Sequence, residues 1–256
     1  MGPEKRTAMA LAMIASLAPA IYCQSLTIYC EENAPMQTVG KEGKLGGFAV
    51  EVVQELQKRV GDGGAIQIVP WARGYEEIKK RADVALFSMG RTAEREGMFQ
   101  WVGPLFETNY AFYSNPHSGV AVKSLDEAKK AKAIGVVLND VRDQFLTKAG
   151  FTNLKRSSDY ATIYRMLNAG RLDLAVGSLV NIEAQLEQAG VKRDEVRQEC
   201  VFLKAQLFIA FSTRTSPQTV EKWSRALDAM KAEGNFERIY RKFFPAIPLP
   251  GPAITF

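Results

Sequence analysis

Apolar residues fall in two alternating rhythms along the chain. LTIYC (Leu26–Cys30) is a short, continuous, β-rich apolar run and predicts a first strand. EENAP turns away from it and ends at Pro35. After Gly46 and Gly47 the period changes: Phe48, Val52, Val53, Leu56 and Val60 recur on one face of a helix that Gly61 closes. AIQIVPW alternates as a strand and stops at Pro70, GYEEIKKRA predicts a short helix, and DVALFSM a further apolar strand. YAFYS (Tyr110–Ser114) is an aromatic strand, and SLDEAKKAK opens with the capping pair Ser124 and Glu127. AIGVVL predicts a strand, NDVRDQFLTKAG a helix, DYATIYRMLNAG a helix closed by Gly170, and RLDLAVGS a strand. NIEAQLEQAG is helical, AQLFIAFST a long strand, and SPQTVEKWSRALDAMKAEGNFERIYRKFF a helical pair. The Pro-rich tail PAIPLPGPAITF is expected to lie unpaired at the surface.

Strands alternating with helices predict α/β layers with mostly parallel sheet. The strand-helix-strand-helix-strand theme passes twice, from Leu26 to about Ser114 and from about Lys123 to about Ser178. Two such units imply two lobes with a ligand cleft between them. The expected division is 26–116 plus 205–256 for the first lobe and 117–204 for the second. The segments near Ser114–Lys123 and Val201–Gln206 cross between them and serve as the hinge.

Composition narrows the possible roles. The 256 residues are 46% hydrophobic and 24% charged, an ordinary globular balance, with a net charge of +5. No block of like charges accompanies that excess, which argues against a nucleic-acid partner. The N-terminus carries Lys5 and Arg6, then AMALAMIASLAPAIY, too short for a membrane span and ending in the small-x-small Ala18-Pro19-Ala20. Residues 1–25 therefore read as a signal peptide cut after Ala20 or Ser25. Tyr22 before Cys23 disfavours a lipoprotein. Export places the protein in the periplasm, where Cys30 and Cys200 either form a disulfide or remain as thiols. There is no CxxC and His117 is the sole histidine, which excludes a His/Cys metal site of usual spacing.

RTAEREG after the strand DVALFSM holds Arg91 and Arg95. Two arginines there are either a solvated helix face or a fork for an anion, since a guanidinium grips a carboxylate with paired N–H donors.

From Leu26 to about Phe244 the chain resembles the extracellular solute-binding proteins of family 3, the polar amino-acid receptors of ABC importers. GKLGGFAVEVVQEL looks like the family's first-helix motif with Glu51 in its acidic slot. VPWARGYEEIKKRADVALFSMGRTAEREGMFQWVGPL resembles its ligand-loop block. LNAGRLDLAVGS, LFIAFST and ALDAMKAEGNFERIYRKFF follow in the family's order. The resemblance implies a two-lobed, type II periplasmic-binding fold that closes like a hinge on a small anionic or zwitterionic solute, without cofactor, as a monomer that docks on an inner-membrane permease. It assigns Arg95, in Thr92-Ala93-Glu94-Arg95, to the solute carboxylate, with Ser88 and Gly90 beside it. Trp71 stacks on the solute, Arg73 is a second cationic wall, and Arg91 lines the cleft or faces solvent. Glu31 or Glu32 could meet an ammonium. The sequence departs from the amino-acid pattern where Ser178 takes the place of an aspartate, where Asn139-Asp140-Val141-Arg142 replaces Gly-Thr-Thr, and where Asn33 replaces an aromatic. Asp140 is then a candidate for the missing acid, and Arg142 adds a positive charge. An enzyme resembling cyclohexadienyl dehydratases is the alternative, with Glu31 and Asp140 as its acids, and a sensory domain is another.

Overall fold

The computed structural model describes residues 25–256, so the expected signal peptide and Cys23 lie outside the described residues. The first lobe begins with β1 (Thr27–Cys30), a small hairpin of β2 (Thr38–Val39) and β3 (Leu45–Gly46), and helix α1 (Phe48–Val60). It continues through β4 (Ile66–Ile68), α2 (Trp71–Lys80) and β5 (Val84–Gly90) to the long strand β6 (Phe99–Ser114). The second lobe contains α3 (Leu125–Ala128), β7 (Ile134–Val137), α4 (Val141–Lys148), β8 (Leu154–Ser157), α5 (Tyr160–Asn168), β9 (Leu174–Ser178) and α6 (Ile182–Ala189). Strand β10 (Arg197–Ser212) returns to helices α7 (Pro217–Ala232) and α8 (Asn235–Phe243).

The strands form one eight-stranded sheet in the order β4-β1-β5-β10-β6-β9-β7-β8. Its two wings share a topology. In one, β1 lies between β4 and β5, all parallel; in the other, β7 lies between β8 and β9, again parallel. The central pairs are antiparallel. The doubled pattern in the sequence is thus a doubled three-strand unit, and the fold is the two-lobed α/β arrangement expected of it.

The wings meet on β6 and β10, which pair with each other from Phe99↔Ser212 to Ser114↔Arg197. β10 joins β5 through Leu207–Phe211, whereas β6 joins β9 through Tyr110–Tyr113. Tyr110–Ser114, expected in the first lobe, therefore belongs to the second wing's sheet. YAFYS is the far end of a single strand that begins at Phe99, because the chain runs extended through Gly103 and Pro104 instead of breaking there.

Each wing has an apolar core of its own, and a third cluster runs across the junction, from Tyr29, Trp71 and Leu86 in one wing to Val137, Tyr164 and Leu167 in the other. Phe48, Val52, Val53 and Leu56 of α1 pack with Trp223, Leu227 and Tyr240 of α7 and α8. Ile134, Val136, Leu146, Leu174 and Val176 form the corresponding core of the second wing. Cys30 belongs to the first of these clusters and Cys200 borders the second, and both are free thiols. Burial, then the charge of Glu31, pushes the Cys30 thiol up to about 12. The tail is not unpaired as its composition predicts. Pro248 O accepts the Tyr240 hydroxyl at 2.7 Å, and Gln206 on β10 donates to Pro252 O and accepts from Ile254 N, both at 2.9 Å.

Candidate functional site

The C-terminal ends of the strands face each other across the crossing, where open α/β sheets place ligands. β1 delivers Glu31, β5 delivers Ser88 and Gly90, and the turn after β5 delivers Arg95. From the other wing, β7 leads into Asp140, Val141 and Arg142 at the start of α4, α5 begins with Tyr160, and β9 ends at Ser178. With Trp71 and Tyr110 these residues line one cavity between the lobes. It leaves only about 30 Å³ for the centres of water-sized bodies, room for about two or three waters. A solute can enter only if the lobes part.

Arg95 is fully buried. Its guanidinium donates to Gly90 O at 3.0 Å, Asn139 O at 3.2 Å and Gln144 Oε1 at 2.9 Å, and lies over the rings of Trp71 and Tyr75. All three acceptors are neutral. Burial pulls its pKa below the usual arginine value, opposed by the charges of Tyr75 and Asp140. An arginine nevertheless keeps its proton, so the cavity carries a desolvated cation. The backbone beside it is shaped for close approach. Ser88 adopts φ 60°, a left-handed conformation costly for a non-glycine residue, and its hydroxyl is held by the Gln37 amide. Trp71 is the first residue of α2 instead of the end of the preceding strand, and its indole N–H donates to Asn139 O across the cleft at 2.9 Å.

The opposite pole is a buried network. Asp140 caps α4: its Oδ1 accepts the backbone N–H groups of Arg142 and Asp143, each at 2.8 Å. Its Oδ2 accepts Arg142 Nε at 2.6 Å and forms a buried ion pair with that guanidinium. Arg142 also donates to the Tyr160 hydroxyl, which in turn donates to Glu31 Oε1 at 2.8 Å. Burial pushes the Glu31 carboxyl up to about 7, against the Tyr160 hydrogen bond and the Arg142 charge and with some help from Asp140. Ser178 is turned inward, its Oγ 2.8 Å from Thr108 Oγ1.

Of the residues expected at the site, Glu31, Trp71, Ser88, Gly90, Arg95, Asp140, Arg142 and Ser178 come together. Arg73 and Arg91 do not. Arg73 sits on the exposed face of α2, whose buried face carries Trp71, Gly74, Tyr75 and Ile78. Arg91 is tied to Glu96 by Nε at 2.7 Å and by its terminal nitrogen at 2.5 Å, and covers Phe208. Glu32 is exposed on the outer side of the strand end. Sequence reasoning missed Tyr110, Tyr160 and Tyr75, since an aromatic residue in a strand or helix reads as core. For Tyr160 alone a signal existed: it follows Asp159, the N-cap of α5, and so stands at a helix start facing the cleft.

The model of the bacterial extracellular solute-binding proteins, family 3, matches residues 26–246. The chain belongs to this family. Among solute-binding relatives, it is 24% identical over 217 residues to a probable histidine-binding protein of Neisseria gonorrhoeae, covering 83% of this chain and 80% of the relative. It is also 24% identical over 210 residues to an arginine-binding extracellular protein of Bacillus subtilis, covering 80% of each. The fold matches a histidine kinase sensor domain with similarity to periplasmic binding proteins, with TM-score 0.80, 15% identity, and 89% and 98% of the two chains covered. It also matches an ancestral arginine-binding protein bound to arginine, with TM-score 0.75, 22% identity, and 86% and 98% covered. Among the described residues no helix is long and apolar enough to cross a membrane.

Proposed function

We propose that this protein captures a small carboxylate-bearing solute of the amino-acid type in the periplasm, by closure of its lobes, and hands it to an ABC importer. The observation that carries the reading is Arg95, a fully buried cation at the cavity whose acceptors among the described residues are neutral. A buried charge left without a counter-ion is costly, and a carboxylate supplies one with paired hydrogen bonds. Trp71, Ser88 and Gly90 surround the place such a group would take. The printed functions of the relatives, histidine and arginine binding, favour the same class. Binding without turnover is preferred over a dehydratase because the named relatives are binding proteins; of that reading's two acids, Asp140 is held by two backbone N–H groups and by Arg142, which leaves Glu31 to carry any proton transfer.

A thermal-shift screen of the L-amino acids, followed by calorimetry, tests this. A solute at a hundred times its Kd raises stability by about 2.7 kcal/mol. Arg95→Ala is expected to abolish that shift, because truncating one partner of a buried charge pair costs about 2–5 kcal/mol. An unchanged shift would remove Arg95 from the site.

A further inference from the structure

With the lobes together, the cavity has room for about two or three waters, each about 30 Å³ in the liquid. That is the bulk of a glycine-sized molecule, not of an amino acid with a long side chain. Two buried arginines share this cavity, and they are satisfied differently. Arg95, from the first lobe, donates to neutral acceptors, and two of them, Asn139 O and Gln144 Oε1, lie across the cleft. Arg142 is held from its own side. Its Nε donates to Asp140 Oδ2 at 2.6 Å, and a terminal nitrogen donates to the Tyr160 hydroxyl. Its guanidinium lies 5.0 Å from the ring centre of Tyr110 and 4.7 Å from that of Tyr160. An acid beside two aromatic faces is a good seat for a guanidinium. Here the protein's own side chain takes that seat.

We propose that Arg142 is a built-in occupant of the cavity and its size-limiting residue: it restricts the solute to carboxylates of about two or three carbons and excludes amino acids with long side chains, basic ones included. This rests on the carboxylate clamp at Arg95, which fixes one end of the solute. Arg142 then decides how far the rest of the solute can extend. The proposal separates this chain from its relatives named for histidine and arginine binding.

Opening of the cleft does not withdraw this plug. Asp140 and Arg142 stand at the start of α4, Tyr160 begins α5, and Tyr110 lies on the part of β6 that pairs with β9, so all four move with the second wing. A solute that enters the open cleft meets Arg142 again on closure. Swinging the side chain aside breaks a buried ion pair and strands the Asp140 carboxylate, which is strongly unfavourable. Closing at a greater distance around a thicker solute gives up the close meeting of Val141 with Gly90 and the hydrogen bond from Trp71 to Asn139 O.

The test titrates the full chain in a calorimeter with acetate, glycine, L-alanine, L-valine, L-phenylalanine and L-arginine. The wild type is expected to bind the smallest of these best and to lose roughly 5- to 150-fold where added carbons overpack the cavity. L-phenylalanine and L-arginine should bind at least about a hundredfold more weakly than glycine. Arg142→Ala empties the seat beside Asp140 and Tyr110. L-arginine carries the same propylguanidinium group and should bind this variant at least about tenfold more tightly than it binds the wild type. Arg142→Met refills the space without the charge and should keep the wild-type size limit. Wild-type binding of L-phenylalanine or L-arginine within tenfold of glycine overturns the size limit, and that measurement needs no variant to fold. A size limit unchanged in folded Arg142→Ala overturns the assignment to Arg142. Binding that survives Arg95→Ala overturns the clamp instead, and a wild type that binds none of these carboxylates overturns both.

Discussion

Gly90 shows how finely the two lobes meet. A Cβ there would lie 3.2 Å from Cγ2 and 3.3 Å from Cβ of Val141, which belongs to the opposite lobe. Gly90→Ala therefore loads the closed interface and leaves the first lobe's core alone. Overpacking of this kind costs about 1–3 kcal/mol, so solute affinity should fall roughly 5- to 150-fold, with the melting temperature of the solute-free protein unchanged. Adding Val141→Ala should restore binding. Calorimetry on the two single variants and the double variant decides it, and strictly additive losses would place the strain elsewhere. At this scale the sequence was legible where chemistry is scarce and opaque where it is common. Arg91 and Arg95 look equivalent by spacing and composition. The family motif alone separated them, and the structure shows the physical difference: Arg91 has Glu96 within reach, while Arg95 is turned inward over Trp71 and Tyr75. Asp140 was legible as a charge near the cleft but not as a helix cap already saturated.

Helix α4 depends on one side chain for both its start and its charge balance. Asp140 caps it and neutralises Arg142 inside the protein. Asp140→Ala leaves a buried guanidinium unpaired, which costs about 3–5 kcal/mol. For a protein of this size that corresponds to a melting temperature lower by roughly 6–20 °C. Replacing Arg142 as well, by Met, should recover part of the loss, because the unpaired charge and not the missing cap carries most of it. A double variant no more stable than Asp140→Ala would reverse that ranking. Among the elements, those with a strong period were read from sequence: α1, α5, β5, β7 and β9 fall where the apolar pattern places them. β8 was missed because LKRS is polar, as suits an edge strand paired on one side only to β7. β6 and β10 were each read as a fragment. Only their apolar ends signal a strand, and their middles owe extension to pairing with each other.

Across the whole molecule, closure is held by contacts on several sides of the cavity. Trp71 reaches Asn139, Tyr160 reaches Glu31, and Lys148 pairs with Glu94 at the surface. A further set lies beside α6: Asn181 donates to Ala34 O at 2.7 Å, and Gln185 Nε2 donates to Asn33 Oδ1 at 2.9 Å. These α6 contacts involve neither Arg95 nor Glu31, although Asn33 and Asn181 line the same cavity. Asn33 also stands where the family pattern has an aromatic ring, so a stacking surface has been exchanged for a latch between lobes. Losing one such hydrogen bond costs about 0.5–1.5 kcal/mol, which lowers the closed-to-open ratio roughly 2- to 13-fold. Asn33→Ala should therefore enlarge the radius of gyration of the solute-free protein in small-angle scattering, while saturating solute returns it to the wild-type closed value. Its Kd should weaken by the same factor as the closed population falls. The melting temperature should follow only weakly, because the α1–α7–α8 core of one lobe and the β7–β9 core of the other stay intact. If Asn33→Ala scatters like the wild type in both states, closure rests chiefly on the other buried contacts across the cleft, those of Trp71 with Asn139, Arg95 with Asn139 and Gln144, and Tyr160 with Glu31. Solute binding and lobe closure would then be governed by the same residues.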